Sequence, residues 1–527
     1  MGNKNILLIE PGYKNKYPPL GLMKLAQYHG ARGKNDHVRF IKGEDRTALD
    51  TSWDRIYVTT LFSFEWKKIS LAIDFAIEVS GGQPNNVFVG GIAASLMHGE
   101  FLKETRWRGV RFISGLLKEP PAQSLQLNAF EEELYSGDLS SPPIEDEIPD
   151  YSILQHISYR YSVVDAYFAY ASRGCVRKCS FCGVPKLEGD LYDTPSLTKV
   201  VRGIEEIYGP KKDLVLMDNN VVASPRFKEI IAEIRDLGFV RGAKLKRDKR
   251  PPVQRRVDFN QGVDARILCK DPMYLRELST ICIRPLRIAF DHIGLRKPYE
   301  TAIRYAHDVG LDDLSNYMLY NFHDSPADLY QRMRLNLELN EELGIRIFSF
   351  PMRYQPTDRK DRGFVGERWN KYYLRSMQII LQATHGIVSG APAFFRRAFG
   401  DTEQAFTKLL VRPHKFIFNR VWYEELGGRD EFEQYVAAAV KLSPSDESEL
   451  IAILAQFENR NHSVLCSGIA NSRVQNVFRH YAALNDRDES NIWQAQKALK
   501  QSSGEGCDVP DEERVEDAGL ELTAVLA

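Results

Sequence analysis

Three cysteines, Cys175, Cys179 and Cys182, stand within eight residues of one another in the stretch "RGCVRKCSFCGVPK". Thiolates at such short spacing are ligands for zinc or for iron–sulfur clusters. A structural zinc site takes a fourth Cys or His at short spacing, and none stands nearby in this sequence. The spacing Cys-x3-Cys-x2-Cys therefore predicts a metal centre that keeps one position open for a reacting molecule. Zinc binding and simple packing of buried cysteines are the alternatives.

The residues around the cysteines predict an alternating series of strands and helices. "VVDAYFAYAS" predicts a strand that leads directly into the cysteine loop, and five further strand candidates follow. They are "DLVLMDNN", "RVDFNQG", "LRIAFDH", "NYMLYNF" and "IRIFSFPMRY". Six strands separated by helices indicate a partial parallel (β/α)6 barrel over residues 161–360, in which working side chains lie at the carboxyl ends of the strands.

Polar or aromatic side chains follow five of these predicted strands. In chain order they are Asp218 and Asn220 after the second strand, Asn260, Gln261, Asp264 and Arg266 after the third, His292 after the fourth, Tyr320 after the fifth and Arg353 after the sixth. Because the carboxyl ends of parallel strands meet on one face, these side chains are candidates for a common site.

This pattern resembles the radical S-adenosylmethionine superfamily, which has the same cysteine spacing after the first barrel strand and an aromatic residue, here Phe181, before the last cysteine. The resemblance implies that the three cysteines hold three irons of a [4Fe-4S] cluster. It also implies that the fourth iron chelates the methionine part of S-adenosylmethionine. One electron from the cluster would then cleave the sulfonium, and the resulting 5′-deoxyadenosyl radical would take a hydrogen atom from the substrate.

The resemblance also implies roles for the residues at the strand ends. Asp218 matches the segment that contacts the amino group of the cofactor, although the usual Gly-Gly-Glu form is absent and Asp-Asn-Asn also simply favours a turn. The segment from Asn260 to Arg266 reaches ribose or substrate, or else forms a structural polar network. His292 is a candidate proton donor or substrate contact, with a structural histidine as the alternative. Arg353 binds a carboxylate, or pairs with a neighbouring acid.

The remaining candidates are assigned to cofactor binding by the same resemblance, and they are Phe181, Asn220 and Tyr320.

Residues 1–118 alternate short apolar strands with helices, which predicts a doubly wound, Rossmann-like domain with a parallel sheet. "YPPLGLMKLA", "VFVGGIAASLMHGEF" and the later "IPDYS" resemble the cobalamin-binding subclass of the superfamily. The cobalt-ligating motif Asp-x-His-x-x-Gly is absent, and His29, His37 and His98 have different surroundings. Gly90 and Gly91 permit close approach of a cofactor, or serve a tight turn. Cobalamin binding and a vestigial domain both remain open.

The rest of the chain has three parts. Residues 119–160 are acidic and rich in Pro and Ser, which suits a linker between domains. Residues 361–502 show mostly helical patterns. Residues 503–527 carry a strong excess of acidic side chains and predict a disordered tail.

Composition and charge restrict the cellular setting. The chain has 527 residues and a net charge of -1, so its overall charge favours neither a nucleic acid nor an acidic membrane. No apolar run is long enough to span a bilayer and the amino terminus lacks the plan of a signal peptide, so we expect a cytoplasmic protein without membrane contact. The seven cysteines suit reduced thiols.

The partners expected are a small-molecule or peptide substrate and an electron donor such as flavodoxin or ferredoxin. The basic run of residues 241–256 connects a helix to the next strand, so we expect a solvated loop on the face opposite the active site. Docking on nucleic acid by that run is the minority interpretation.

Two enzymatic outcomes remain open. If cobalamin binds, methyl transfer to an unactivated carbon is favoured. If it does not, hydrogen abstraction leads to rearrangement, oxidation or cleavage. The hypothesis from a different class is a non-catalytic metal-binding module that docks on nucleic acid, but the polar residues at successive strand ends argue for catalysis.

Overall fold

A computed structural model of the chain describes residues 3–117, 143–247, 250–384, 386–388 and 390–502. The amino-terminal part is a parallel sheet of five strands in the order β2-β1-β3-β4-β5. Its strands are β1 Asn5–Glu10, β2 His37–Lys42, β3 Arg55–Thr60, β4 Val87–Gly91 and β5 Arg111–Phe112. The predicted doubly wound fold is confirmed, because parallel strands must be joined by crossovers and the helices here supply them.

Both faces of this sheet are buried. Along β1, Ile6 and Leu8 belong to one apolar core, while Leu7 and Ile9 belong to another on the opposite face. This follows from the alternation of side chains along a strand, and it explains why the strand is a continuous apolar run. The helices of this part are Leu20–His29, Trp66–Val79, Ile92–Leu96 and His98–Leu102.

The central part is the predicted partial barrel. Six parallel strands lie side by side in chain order, and isolated parallel bridges join the two halves of the sheet between β12 and β13. They are β6 Ala166–Ala169, β9 Asp213–Leu216, β12 Arg256–Phe259, β13 Leu286–Arg287, β14 Asp313–Tyr320 and β15 Arg346–Arg353. In the described residues no strand pairing joins β15 back to β6, so the barrel is open on one side.

Helices cover the outside of the barrel. They are Val184–Leu187, Leu197–Tyr208, Phe227–Asp236, Ala265–Leu268, Met273–Leu278, Arg296–Asp308 and Pro326–Leu343. The helix Pro326–Leu343 shows how local sequence sets such a boundary. Ser325 and Asp328 form a reciprocal capping box, Pro326 occupies the first turn, and Gly344 ends the helix in a left-handed conformation.

The basic run of residues 241–256 is not the solvated loop that the sequence indicated. It forms an antiparallel hairpin of β10 Lys244–Arg247 and β11 Arg250–Gln254. The hairpin does lie at the amino-terminal ends of the barrel strands, because Arg247 pairs with Asp165 immediately before β6. Gly242 has a left-handed backbone at the entrance of the hairpin, and Leu245 pairs with Val253 across its two strands.

Residues after the barrel are helical, as predicted. The helices are Lys371–Ala383, Pro392–Phe399, Glu403–Val411, His414–Phe418, Arg420–Glu425, Arg429–Ala439, Pro444–Ala455, His462–Gly468, Ser472–Phe478 and Asp486–Ser502. Several pack around an apolar core of their own that includes Phe416, Tyr423 and Phe478. The predicted tail, residues 503–527, lies outside the described residues.

The linker is described only from residue 143 onward. That part contains two short 3-10 turns, Ile144–Asp146 and Tyr151–His156, and their apolar side chains are buried between the sheet domain and the barrel. Within the part of the chain that the structure describes, no helix combines the length and apolarity required to cross a bilayer.

Candidate active site

The cysteine loop leaves the barrel after its first strand and is closed by a short strand pair. Ser172–Arg173 (β7) pairs antiparallel with Tyr192–Asp193 (β8), and the helix Val184–Leu187 lies within the loop. Gly174 has φ +71°, and a Cβ at that position would approach the carbonyl oxygen of Asp190 to 2.1 Å. Glycine is therefore required directly before Cys175, because a side chain there would prevent the loop from closing.

The three thiols are half-buried, and two of them accept backbone hydrogen bonds. The N–H of Arg177 donates to Sγ of Cys175 at 3.3 Å, and that of Val184 donates to Sγ of Cys182 at 3.4 Å. Burial raises the pKa of the Cys182 thiol to about 11 and also raises that of Cys179. Amide donors to sulfur stabilise thiolate ligands and tune an iron–sulfur cluster.

The three cysteines of the loop do not form a single-ion site with other donors in the described residues. In the described ranges, no three Cys, His, Asp or Glu side chains lie close enough together to hold one metal ion. A multi-iron cluster needs no such convergence, since each thiolate binds a different iron atom. Among the other cysteines, Cys282 is buried, Cys269 and Cys466 are half-buried, and Cys507 lies outside the described residues.

Asp264 and Arg266, predicted from the end of the third barrel strand, lie beside the cysteine loop. Asp264 accepts from Nε of Arg266 and from Nε of Arg177, each at 2.7 Å, and its carboxylate also caps the helix Ala265–Leu268. Burial opposes ionisation of Asp264, but these hydrogen bonds outweigh it and lower the pKa. Arg266 in turn interacts with the thiol of Cys179. The structure thus brings this predicted pair to the cysteine loop.

Asp291 and His292 follow the fourth strand on the same rim. Burial raises the pKa of Asp291 to about 6 against the opposing charges of Arg332 and Arg266. His292 is exposed, and partial burial together with the same two arginines lowers its pKa. Its ring makes no hydrogen bond within the described residues, and its predicted roles, as proton donor, substrate contact or structural histidine, stay predictions.

Asp218 holds the backbone that precedes the cysteine loop. Its buried carboxylate accepts from the N–H groups of Ala171 and Ser172 and from the Ser172 hydroxyl, the last at 2.7 Å. Burial raises the pKa of Asp218 to about 6, although these hydrogen bonds act in the opposite direction. The predicted contact of Asp218 with the cofactor stays a prediction, because in the structure this carboxylate is occupied by the protein itself.

The neighbours of Asp218 join adjacent strand ends. Asn219 donates from Nδ2 to Oε2 of Glu188 at 2.8 Å, and Oδ1 of Asn220 accepts from the N–H of Asp264 at 3.3 Å. Asn220 is buried and forms a structural link between the second and third strand ends. The proposed cofactor contact of Asn220 therefore also stays a prediction.

Asn260 and Gln261 line a large cavity. Oδ1 of Asn260 accepts from the hydroxyl of Tyr17 at 2.6 Å, and its carbonyl oxygen accepts from the hydroxyl of Tyr317 at 3.0 Å. Tyr17 comes from the amino-terminal domain, 243 residues away in sequence. No sequence signal marks Tyr17 as a partner of the barrel, because the contact exists only once the two parts are packed together.

Phe181, Tyr320 and Arg353 lie apart from the Asp264 group. The ring of Phe181 packs edge-on against Phe322 at 5.8 Å. Tyr320 is buried, and its ring lies 5.3 Å from that of Trp369. This tyrosine is therefore part of the core.

Arg353 pairs with no acid in the part of the chain that the structure describes, contrary to one of the two predicted roles. Its Nη2 donates to the carbonyl oxygens of Arg362 and Phe364, and burial lowers its pKa. Its buried Nε lacks a hydrogen-bond partner. It borders a cavity of about 40 Å³ together with Phe181. A contact between Arg353 and a ligand carboxylate stays a prediction.

A buried charge network, which the sequence did not reveal, anchors the cysteine loop. Arg173 donates from Nη1 to Glu188 at 2.8 Å and from Nη2 to Glu145 of the linker. Glu145 also pairs with Lys24 of the helix Leu20–His29 at 3.0 Å. Glu188 accepts from the N–H of Gly174 at 2.8 Å. The network therefore connects the amino-terminal domain to the residue before the first cysteine.

A cavity of about 940 Å³ connects the two domains. At the sheet domain it is bordered by the carboxyl ends of β1, β3 and β4, where ligands bind in doubly wound folds. From there it passes Tyr170, Arg173 and Glu188 beside the cysteine loop and enters the barrel lumen. The cavity therefore joins the predicted cofactor edge of the sheet to the predicted radical site.

The sheet edge offers space but no cobalt ligand. Thr60, Gly90 and Gly91 line the cavity there, and Gly91 has φ +100° with a Cβ position 2.5 Å from the carbonyl oxygen of Thr60. Gly91 is thus required by the turn itself. None of the histidines in the described residues lines this cavity, and His29 is held in the core by Asp36 and Tyr57.

Comparison with known proteins gives weak sequence matches. No protein-family model matches the chain. The ribosomal protein uS12 methylthiotransferase RimO of Chlorobium chlorochromatii (strain CaD3) is 24% identical over 139 residues, which are 24% of this chain and 32% of that protein. The chain thus spans about a third of the length of this curated relative.

One solved structure aligns with most of the chain. The cobalamin-dependent S-adenosylmethionine radical enzyme OxsB aligns with 95% of this chain and 80% of its own, with 13% identity and a TM-score of 0.43. The cysteine spacing, its place after the first strand of a six-stranded parallel barrel and the doubly wound domain ahead of it are features of this chain itself. They are the features on which the resemblance to the radical S-adenosylmethionine superfamily rests, and the structure confirms the parallel six-stranded barrel and the doubly wound domain ahead of it.

Proposed function

We propose that the chain is a radical S-adenosylmethionine enzyme in which Cys175, Cys179 and Cys182 hold a [4Fe-4S] cluster. The observation that carries the proposal is the loop itself, with three half-buried thiols, amide donors to two of them and a position at the carboxyl end of the first barrel strand. When bound, the cluster would supply the electron that cleaves S-adenosylmethionine to a 5′-deoxyadenosyl radical.

The surrounding residues position this loop and shape the reaction space. Asp218 fixes Ser172, and Glu188 fixes Gly174, so both sides of the turn before Cys175 are held by buried carboxylates. Arg266, oriented by Asp264, brings a positive charge to Cys179 and favours its thiolate form. Asn260 and Gln261 line the cavity and are the residues we assign to contacts with S-adenosylmethionine or the substrate.

The amino-terminal domain supports a second candidate function, cobalamin-dependent methyl transfer. The observation in its favour is the continuity of the cavity from the strand ends of the sheet to the barrel lumen. The absence of a histidine among the cavity residues of the described chain means that the protein offers cobalt no imidazole ligand there. We therefore assign no catalytic step to cobalamin and treat radical hydrogen abstraction as the primary function.

The test is anaerobic reconstitution of the full chain with iron and sulfide, followed by a reductant and S-adenosylmethionine. Formation of 5′-deoxyadenosine is expected, with reduced flavodoxin or ferredoxin replacing the chemical reductant. Cys179→Ala should abolish both the cluster absorbance and turnover, whereas Cys466→Ala in the helical region should change neither. Turnover by Cys179→Ala, or no 5′-deoxyadenosine from a fully loaded protein, would contradict the proposal.

A separate measurement decides the cobalamin question. The chain is produced in cells supplied with cobalamin, and its corrin absorbance is measured after purification. Stoichiometric corrin would support methyl transfer, and S-adenosylhomocysteine would then accumulate during turnover. A colourless protein that still forms 5′-deoxyadenosine would leave the amino-terminal domain with a structural or substrate-binding role.

A further inference from the structure

The inside of the barrel is hollow along its whole length. On β15, the alternate residues Arg346, Phe348, Phe350 and Met352 all line the large cavity, as expected for one face of a strand. The distance from the first to the last of them corresponds to about 20 Å of extended chain. Closed barrels of this type fill their interior with layers of side chains, so an open lumen is space for a ligand.

The middle of the lumen is apolar and aromatic. Tyr317, Phe348, Phe350 and Met217 line it, and all four remain half-buried because their inner faces border the cavity. The rings of Tyr317 and Phe350 lie 6.0 Å apart. Such surfaces are stabilised when an apolar body covers them, at about 25 cal/mol for each Å² removed from water.

Two polar side chains in the middle of the lumen, Asp258 and Asn260, already have partners in the protein. Asp258 accepts from Nε and Nη2 of Arg287 at 2.8 and 2.9 Å, a bidentate pair in which both charges are neutralised. Asn260 is held by Tyr17 and Tyr317. A ligand that passes through this region therefore needs no charge of its own there.

The far end of the lumen is positively charged. Arg284 and Arg346 both pair with the single carboxylate of Asp313, the former closely and the latter at 3.4 Å. Both guanidinium groups are about half exposed, at 53% and 52%, and all three residues line the cavity. One carboxylate between two arginines leaves a net positive charge, which suits a carboxylate or phosphate.

These observations fit one class of molecule. We infer that the substrate is an elongated molecule with an apolar body and an anionic end group, which lies in the lumen with the anionic end at Arg284 and Arg346. This inference rests on the proposed function, and it places the reacting end of the substrate beside the cysteine loop. Hydrogen abstraction would then occur at a carbon remote from the anionic group.

The test measures binding alone, so it does not depend on the cluster or on turnover. A conjugated tetraene fatty acid, whose fluorescence increases in apolar surroundings, is titrated into the purified full chain. Dodecanoate, dodecan-1-ol and dodecyltrimethylammonium then compete with it. We expect saturable binding of the probe, with dodecanoate the best competitor and the trimethylammonium compound the worst.

Two variants locate the site. Met217→Trp, at a half-buried lumen position with room to extend into the cavity, should abolish probe binding, whereas Val440→Trp on the exposed helical region should not change it. The double variant Arg284→Ala/Arg346→Ala should bind dodecanoate about tenfold more weakly. This is the loss of affinity expected when one or two charge-assisted hydrogen bonds are removed. The affinity of this double variant for dodecan-1-ol should stay unchanged. Arg429→Ala is the control for removal of a surface arginine.

The contrary outcomes are equally specific. The inference that the substrate binds in the lumen would be wrong if the probe shows no saturable binding. It would also be wrong if Met217→Trp binds the probe as well as the native chain does. Equal affinity for dodecanoate and dodecyltrimethylammonium would contradict the inference that the substrate has an anionic end group. Failure to form 5′-deoxyadenosine would refute the proposed function and leave these binding results standing, so the two failures are distinguishable.

Discussion

Ser172, three residues before the first cysteine, is held by Asp218 at the end of the next barrel strand. Its hydroxyl donates to the carboxylate at 2.7 Å, and its N–H donates to the same oxygen. Asp218, the predicted cofactor contact, therefore serves first as the brace of the cysteine loop. A buried carboxylate with several donors is costly to remove, because each donor then loses its partner.

We expect Asp218→Asn to lower the free energy of unfolding by about 3 kcal/mol, since the amide group would face N–H donors with a donor of its own. The iron content after reconstitution should fall in parallel, because the turn before Cys175 loses its support. Urea unfolding and iron analysis test this against Asp430→Asn on the exposed helix Arg429–Ala439. Unchanged stability together with lost S-adenosylmethionine binding would instead assign Asp218 to the cofactor.

Arg173 and Glu188 should be strongly coupled. Arg173→Ala leaves Glu188 and Glu145 buried without their guanidinium partner, so we expect a loss of about 3–5 kcal/mol in unfolding free energy. A double-variant cycle with Glu188→Gln measures the coupling between the two side chains. The exposed pair of Arg429 and Glu433 is the matched control and should give only about 0.2–1 kcal/mol. Equal coupling in the two pairs would show that the network does not anchor the loop.

Tyr17→Phe should weaken the contact between the amino-terminal domain and the barrel. Loss of the hydrogen bond to Asn260 should cost about 1 kcal/mol and increase the rate of proteolysis between the domains. Tyr305→Phe is the control, because its hydroxyl makes no hydrogen bond to the described part of the chain. Identical proteolysis of the two variants would mean that Tyr17 is not an interdomain contact of consequence.

His414 in the helical region should make stability depend on pH. Burial, with Arg375 nearby, lowers the pKa of His414 to about 4, while its ring stacks on Tyr372 at 4.1 Å. The unfolded chain therefore binds a proton more readily than the native chain between pH 6.5 and 4. The stabilisation from neutral His414 is complete above pH 6.5 and is lost as the pH falls toward 4.

After a discount for its partial exposure, the loss amounts to about 2–3 kcal/mol. Urea unfolding between pH 4 and 7 should show this loss in the native chain and a smaller one in His414→Phe, which cannot be protonated. His307, an exposed histidine paired with Asp312, is the control position for a His→Phe change. Parallel pH profiles for the native chain and His414→Phe would contradict the prediction.

The local sequence was sufficient for the fold and for the position of the cysteine loop. Strand-forming runs such as "NILLIEP" and "DLVLMDNN" encode burial on both faces, and the cysteine spacing places three thiols on one loop. Asp264 and Arg266, predicted to contact ribose or substrate, lie beside the cysteine loop because parallel strands end on one face, and their predicted contacts stay predictions. The hairpin of residues 241–256 was missed, since its many Lys and Arg side chains indicate solvent exposure and do not reveal strand pairing.

Tertiary structure alone decided how the site is supported. Lys24 meets Glu145 across 121 residues and Tyr17 meets Asn260 across 243, and neither residue pair has a local signal. Burial of Arg173 between two glutamates likewise depends on the packing of distant segments, which the hydrophobic periodicity of the sequence does not reveal. The sequence by itself was enough to predict that the three cysteines lie together, because they stand within eight residues of one another. The network that holds the loop and the hollow lumen beside it were decided by the fold, because they are made of side chains that meet only when distant segments pack together.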